Sequence, residues 1–167
     1  MKTLSLHQPW ASLISLRVKT IETRSWSTKY RGPLAIHAAK KQPPDLWANV
    51  FHDDGPDLQH PDLERYYEPL EWGDGVTWCY RWTGPLGAVV ATCELMACER
   101  TEYRAMCLDV GEQGWAIQSI GHLPLIDPDQ YPLGNFSAGR FVWLLANIEA
   151  IDPVPAKGHQ GLWEWEP

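Results

Sequence analysis

Apolar residues recur along the chain in two periods. In QPWASLISLR, residues 8–17, Trp10, Leu13 and Ile14 fall at i, i+3 and i+4 and form one helical stripe. Pro9 suits a first helical position, so the spacing predicts a short helix over 8–17. β-Branched Thr20, Ile21 and Thr23 predict a strand over 20–25, and Arg31-Gly32-Pro33 a turn. LAIHAA (34–39) reads as a buried strand. LGAVVATCELMA (86–97) is the strongest strand signal, and GRFVWLLANIE (139–149) gives another long strand. A helical turn is expected within 100–106, a short strand at 115–117 and an apolar edge at the end of the 153–165 tail.

Residues 42–75 break these patterns. They contain HDDGPDLQHPDLE and little sustained periodicity, with room for helical turns at 45–51 and 63–67. The stretch reads as an acidic, loop-rich insertion rather than a separate domain; loops this long are usually functional or mobile. Several strands with scattered short helices predict an all-β or α+β barrel.

At 167 residues the chain suits one domain that needs no disulfide or metal to fold. The content of 14 Pro argues against a long helical bundle, and 10 Trp supply both core and flat stacking surfaces. Cys79, Cys93, Cys98 and Cys107 form no C-x-x-C pair, so no metal site and no cofactor are expected. They read as reduced thiols of a cytoplasmic protein. No apolar run approaches the length of a membrane span, and the N-terminus lacks a continuous apolar signal segment.

Charge is distributed unevenly. Residues 1–41 hold eight Lys/Arg and one acid, Glu22, a local charge of +7, whereas residues 42–167 hold six Lys/Arg and 20 acids, −14. Either the N-terminal part faces an anion, or the two parts attract one another across the fold. Lys19, Glu22, Arg24 and Trp26 concentrate the question: they make either a solvated strand edge or a site for an anionic, flat-faced ligand.

LSLHQPWASLI (4–14), KTIETRSW (19–26) and RGPLAIHAAKK (31–41) resemble the ASCH domain, named for activating signal cointegrator homology. Its signature is G-x-K-x-x-E-x-R; Lys19, Glu22 and Arg24 match, and Arg17 stands in place of the Gly. The resemblance continues through 84–98, 139–149 and 153–165. It implies an α+β, PUA-like small β-barrel flanked by short helices, with a cleft beside the barrel. It also implies a nucleic-acid-binding module, with RNA or a single strand the expected partner, acting as a monomer. A few small bacterial members resemble hydrolases of modified nucleosides or have been linked to RNA cleavage. The eukaryotic relatives' cointegrator role permits a third reading, a protein-interaction module.

The signature residues have distinct physical capacities. Lys19 and Arg24 can neutralise phosphate or contact a base edge. Glu22 can orient Arg24 by an ion pair or accept from a base amino group. In a regular strand Glu22 and Arg24 share one face; Lys19 joins them only if it lies in the preceding loop and turns inward. Trp26 and Trp10 are stacking candidates, and either can instead be core. Ser25 lies between Arg24 and Trp26, and Lys40 can extend a phosphate track. His37 reads as a core histidine, His7 as a capping or packing residue, and Lys157-Gly158-His159 as a turn that seats Leu162 and Trp163 while Lys157 reaches toward phosphate.

Catalysis would need Glu22 as base for a water, with Lys19 or Arg24 stabilising the oxyanion. The hydrolase-like members imply a Lys-x-x-Thr arrangement, and Glu22 occupies that threonine position. Two nearby cations also make Glu22 a weaker base. An Arg at position 17 is expected to avoid the left-handed conformation that Gly takes readily, so the helix should end differently from one closed by Gly.

Overall fold

The computed structural model describes residues 1–43, 46–47, 63, 65–71, 78–101 and 128–166. Six strands form a mixed sheet in the order β2-β8-β7-β3-β1-β9: β1 (Lys2–Leu6), β2 (Ile21–Arg24), β3 (Gly32–Ala38), β7 (Ala88–Arg100), β8 (Phe141–Pro155) and β9 (Leu162–Glu164). β1 and β3 run parallel, and every other neighbouring pair in this sheet is antiparallel. A second sheet, β4-β6-β5, contains β4 (Leu46–Trp47), β5 (Tyr67–Glu71) and β6 (Trp78–Trp82).

The large sheet is open, which corrects the expectation of a closed barrel. Its edges are the four-residue β2 and the three-residue β9, and four strands separate them. Curvature instead comes from β7 and β8, whose register shifts three times, between Val89/Ala91, Thr92/Glu94 and Leu95/Ala97. Each shift inserts one or two extra residues into one strand and bends the ribbon. Asn147, at φ 49°, lies near one of them and donates from Nδ2 to Glu94.

The predicted helix is present as α1 (Trp10–Ser15), shorter than 8–17 because Gln8 and Pro9 form its entry. The Gln8 amide accepts from Ser12 N–H at 3.1 Å and donates to Ser12 Oγ and Pro85 O, satisfying a helix-start donor that lacks an internal partner. Leu13 and Ile14 are fully buried, so the apolar stripe faces the core.

The helix ends in a left-handed turn, contrary to the expectation for Arg17. Arg17 sits at φ 63°, donates its N–H to Ile14 O at 2.8 Å, and is followed by Val18 N–H to Leu13 O at 3.0 Å. This is the hydrogen-bond pattern of a Schellman motif, which requires positive φ at that position. The side chain offsets the conformational cost by donating Nε–H to Ile148 O at 2.9 Å.

β1 escaped the sequence reading because KTLSL is short and carries only two large apolar residues, Leu4 and Leu6, both buried. Residues 42–75 are not loop alone, since they contribute β4 and β5 to the second sheet. Trp82 and Leu63 pack there with Leu13 and Leu133, against the side of α1. The turns expected at 45–51 and 100–106 lie largely, and the strand at 115–117 wholly, outside the described residues. The main core joins Leu4, Ile14, Leu34, Ile36, Leu95 and Trp143, so β1, α1, β3, β7 and β8 all close on one apolar centre.

Candidate nucleic-acid interface

A cleft of about 1160 Å³ opens where β1 and the parallel β3 end. β1 and the residues after it bring Ser5 and His7; β3 and its continuation bring His37 and Lys40. Arg24 and Trp26 enter from the end of β2, and the β8–β9 loop crosses above with Lys157, Gly158 and His159. Among the described residues, Arg24, Lys40 and Lys157 are its charged lining residues, and no carboxylate lines it. The same chain carries −7 overall, so this composition runs against the bulk charge.

Behind the cleft wall lies a buried ion triad. Lys19 sits in the loop before β2 and turns inward, its side chain 1% exposed. The ammonium has three N–H donors and three partners: Ile21 O at 2.6 Å, Leu133 O at 2.5 Å and Glu22 Oε2 at 3.3 Å. Its fourth neighbour is the Trp10 ring, 5.5 Å from the ammonium to the centroid. Burial lowers the Lys19 pKa below the ordinary lysine value; Glu22 pulls it back up and Arg24 adds to the lowering.

Glu22 uses its other oxygen on Arg24, with Oε1 3.1 Å from Nε. That contact has ion-pair distance without hydrogen-bond alignment, since the buried Arg24 Nε lacks a partner of good geometry. Arg24 also donates Nη2–H to Ser5 O at 2.9 Å. The guanidinium is therefore held on two sides, while Nη1 has no hydrogen-bond partner among the described residues. Buried charge braces exposed charge: Lys19 fixes Glu22, Glu22 fixes Arg24, and Arg24 meets the cleft.

The signature residues thus converge, but at different depths. Lys19 and Glu22 do not line the cleft; Arg24, Trp26 and Lys40 do. Trp26 is half-buried and stands edge-to-face on the buried Trp143, with centroids 4.8 Å apart at 85°. Ser25 is exposed beside the cleft lining. Trp10 packs between the two apolar clusters and does not line the cleft. Both Glu22 oxygens face cations, and Glu22 has no access to the cleft, so the geometry lends nothing to its use as a water-activating base.

The β8–β9 loop owes its seat to a polar relay that was only partly legible. His37 is 1% exposed and read correctly as a core histidine. Its Nε2–H donates to Ala156 O and its Nδ1 accepts from Ser5 Oγ, each at 3.1 Å, while Ser5 Oγ accepts Trp163 Nε1–H at 3.1 Å. This arrangement requires one neutral tautomer. Burial lowers the His37 pKa, the Ala156 carbonyl opposes that, and His159 adds to it. Gly158 lies directly on the ring: a Cβ there would meet His37 Cε1 at 2.4 Å. His7, Lys157 and His159 therefore line the cleft together although 150 residues of sequence separate His7 from Lys157; what joins them is the antiparallel pairing of β9 with β1, which sets Leu162 opposite Leu4.

Among the described residues there is no group of His, Cys, Asp and Glu suited to a metal, and no helix is long and apolar enough to cross a membrane. The family model described as ASCH domain matches residues 4–155, ending just before the Lys157–Gly161 loop. Over 40 residues, 24% of this chain, the sequence is 55% identical to activating signal cointegrator 1 of Homo sapiens, and equally to the protein of that name from Mus musculus. That stretch spans 7% of the length of each relative. With the family match covering most of the chain and its signature assembled as one triad, the chain belongs to the ASCH domain family.

Proposed function

We propose that this ASCH domain binds single-stranded nucleic acid, RNA in preference, with phosphate and one base held in the cleft. The observation that carries the reading is a cleft lined, among the described residues, by three cations and no carboxylate on a chain of charge −7. An acceptor-rich, anionic ligand complements that lining; a cationic one does not. Arg24 contacts phosphate through its unpartnered edge, and Lys40 and Lys157 add point charges from opposite sides. Trp26 offers a stacking surface whose other side is fixed by Trp143. Glu22 and Lys19 are positioning residues that hold the guanidinium.

Fluorescence anisotropy with a labelled eight-nucleotide RNA tests the reading. Lys40→Ala with Lys157→Ala should weaken binding and reduce the slope of log K against log salt by about 1.4, two phosphate contacts at about 0.7 each for a single strand. An unchanged affinity and slope would overturn it.

A further inference from the structure

The cleft is not the end of the cationic surface. Arg24 is in register with Phe141 on β8, and Phe141 with Arg100 on β7. Residues paired across neighbouring strands point to the same face, so Arg24 and Arg100 emerge together, two strand spacings or about 10 Å apart. Arg140 donates Nη2–H to Thr23 O at 3.3 Å, one residue from Arg24. Arg31 donates to Cys98 O at 3.4 Å, two residues from Arg100. Lys29 and Arg100 are exposed positions, and none of Lys29, Arg31, Arg100 and Arg140 has a carboxylate partner among the described residues.

The acids described at this end of the sheet are two. Glu22 is consumed by Lys19 and Arg24, and Glu99 pairs in register with Val142, so it points to the opposite face from Arg100. Between the cleft and this basic end runs the β2–β3 loop, which starts with exposed Ser25 and cleft-lining Trp26. The loop is anchored over the sheet by Trp26 on Trp143 and by Thr28 N–H to Cys98 Sγ. Unneutralised cations on a common face repel one another, and an anion laid along them relieves that repulsion.

We propose that the bound strand leaves the cleft past Trp26 and Ser25 and continues across this basic end, with Lys29 and Arg100 contacting phosphates outside the cleft. The ligand is then an extended single strand several nucleotides long, not an isolated nucleotide or a chain terminus. This rests on the cleft reading above, which supplies the first contacts. A cationic surface beside a stacking residue suits a flexible polyanion whose bases can unstack.

The experiment compares two RNA probes, a 5′-phosphorylated dinucleotide and an eight-nucleotide single strand, across a salt series. The variant Lys29→Ser with Arg100→Ser changes two exposed side chains and leaves the cleft untouched. The expected result is an eightmer bound more tightly than the dinucleotide, with a salt slope that falls by about 1.4 in the double variant, while dinucleotide affinity is unchanged. An eightmer no tighter than the dinucleotide, or an eightmer slope unaffected by the double variant, overturns the extended track and leaves the cleft standing. Equal displacement of the eightmer by an eight-residue polyglutamate also overturns it, because the face would then serve any polyanion. Loss of dinucleotide binding with Lys40→Ala and Lys157→Ala supports the cleft itself, so the two readings fail separately.

Discussion

Glu22→Gln perturbs the triad at its centre. The exchange keeps side-chain size and one acceptor oxygen but removes the carboxylate that faces both Lys19 and Arg24. At 3.3 Å and an effective dielectric of about 20, the Lys19–Glu22 attraction is about 5 kcal/mol before desolvation. The ammonium keeps the Ile21 and Leu133 carbonyls but loses its counter-ion and faces Arg24 alone. Removing one partner of a buried pair typically costs about 3–5 kcal/mol. Urea unfolding at pH 7 reads this directly: with a slope of about 2 kcal/mol per molar, the midpoint falls by about 1.5–2.5 M. The pH dependence supplies an independent check. Burial already lowers the Lys19 pKa, and without Glu22 it falls further. As pH rises toward the ordinary lysine value, the unfolded chain keeps a proton that folded Lys19 has lost, so stability rises with pH through that window. The gap between variant and wild type should therefore narrow between pH 7 and 10. A loss below 1 kcal/mol, or a gap that does not change with pH, would refute the claim that Lys19 is a buried charge held by Glu22.

Three further outcomes follow from local geometry. Arg17→Gly should be more stable than Arg17→Ala by about 1 kcal/mol in thermal or urea unfolding, because both lose the bond to Ile148 O and only Gly relaxes the left-handed turn; equal stabilities would argue against it. Gly158→Ala forces its Cβ into the His37 ring and should unseat the β8–β9 loop, weakening RNA binding at least tenfold in anisotropy while far-UV circular dichroism stays native; unaltered binding would count against the loop's role. The buried Cys93 thiol is pushed up to about 12 by burial, with Glu94 adding to it. Unfolded thiol ionises from about pH 9 while the folded one stays protonated, so this group alone lowers stability by about 2 kcal/mol between pH 9 and 10.5, at about 1.36 kcal/mol per unit. Cys93→Ala should flatten that alkaline fall, and an identical slope would reject it.

Much of the fold was legible where one residue type dominates a period. The Trp10-Leu13-Ile14 stripe marked α1, and the long β-branched runs marked β7 and β8, because those elements bury a continuous face and their sequences show it. The open sheet was not legible, since closure depends on whether two short edge strands meet. Arg17 misled because a rule about side-chain preference competes with the hydrogen bonds of a Schellman turn, and the turn won with help from Ile148 O, 131 residues away.

By itself the sequence determined that cations cluster in the first 41 residues, that Lys19, Glu22 and Arg24 stand at signature spacing, and that Trp26 follows them. Spacing along a strand even placed Glu22 and Arg24 on a common face. Only the tertiary structure decided which charge meets solvent. Lys19 is internal because Leu133 O, 114 residues away, completes its hydrogen bonds, whereas Lys40 and Lys157 lack such partners among the described residues and stay at the cleft. A charge is buried or exposed according to whether distant groups can replace its water, and local sequence carries no record of those groups.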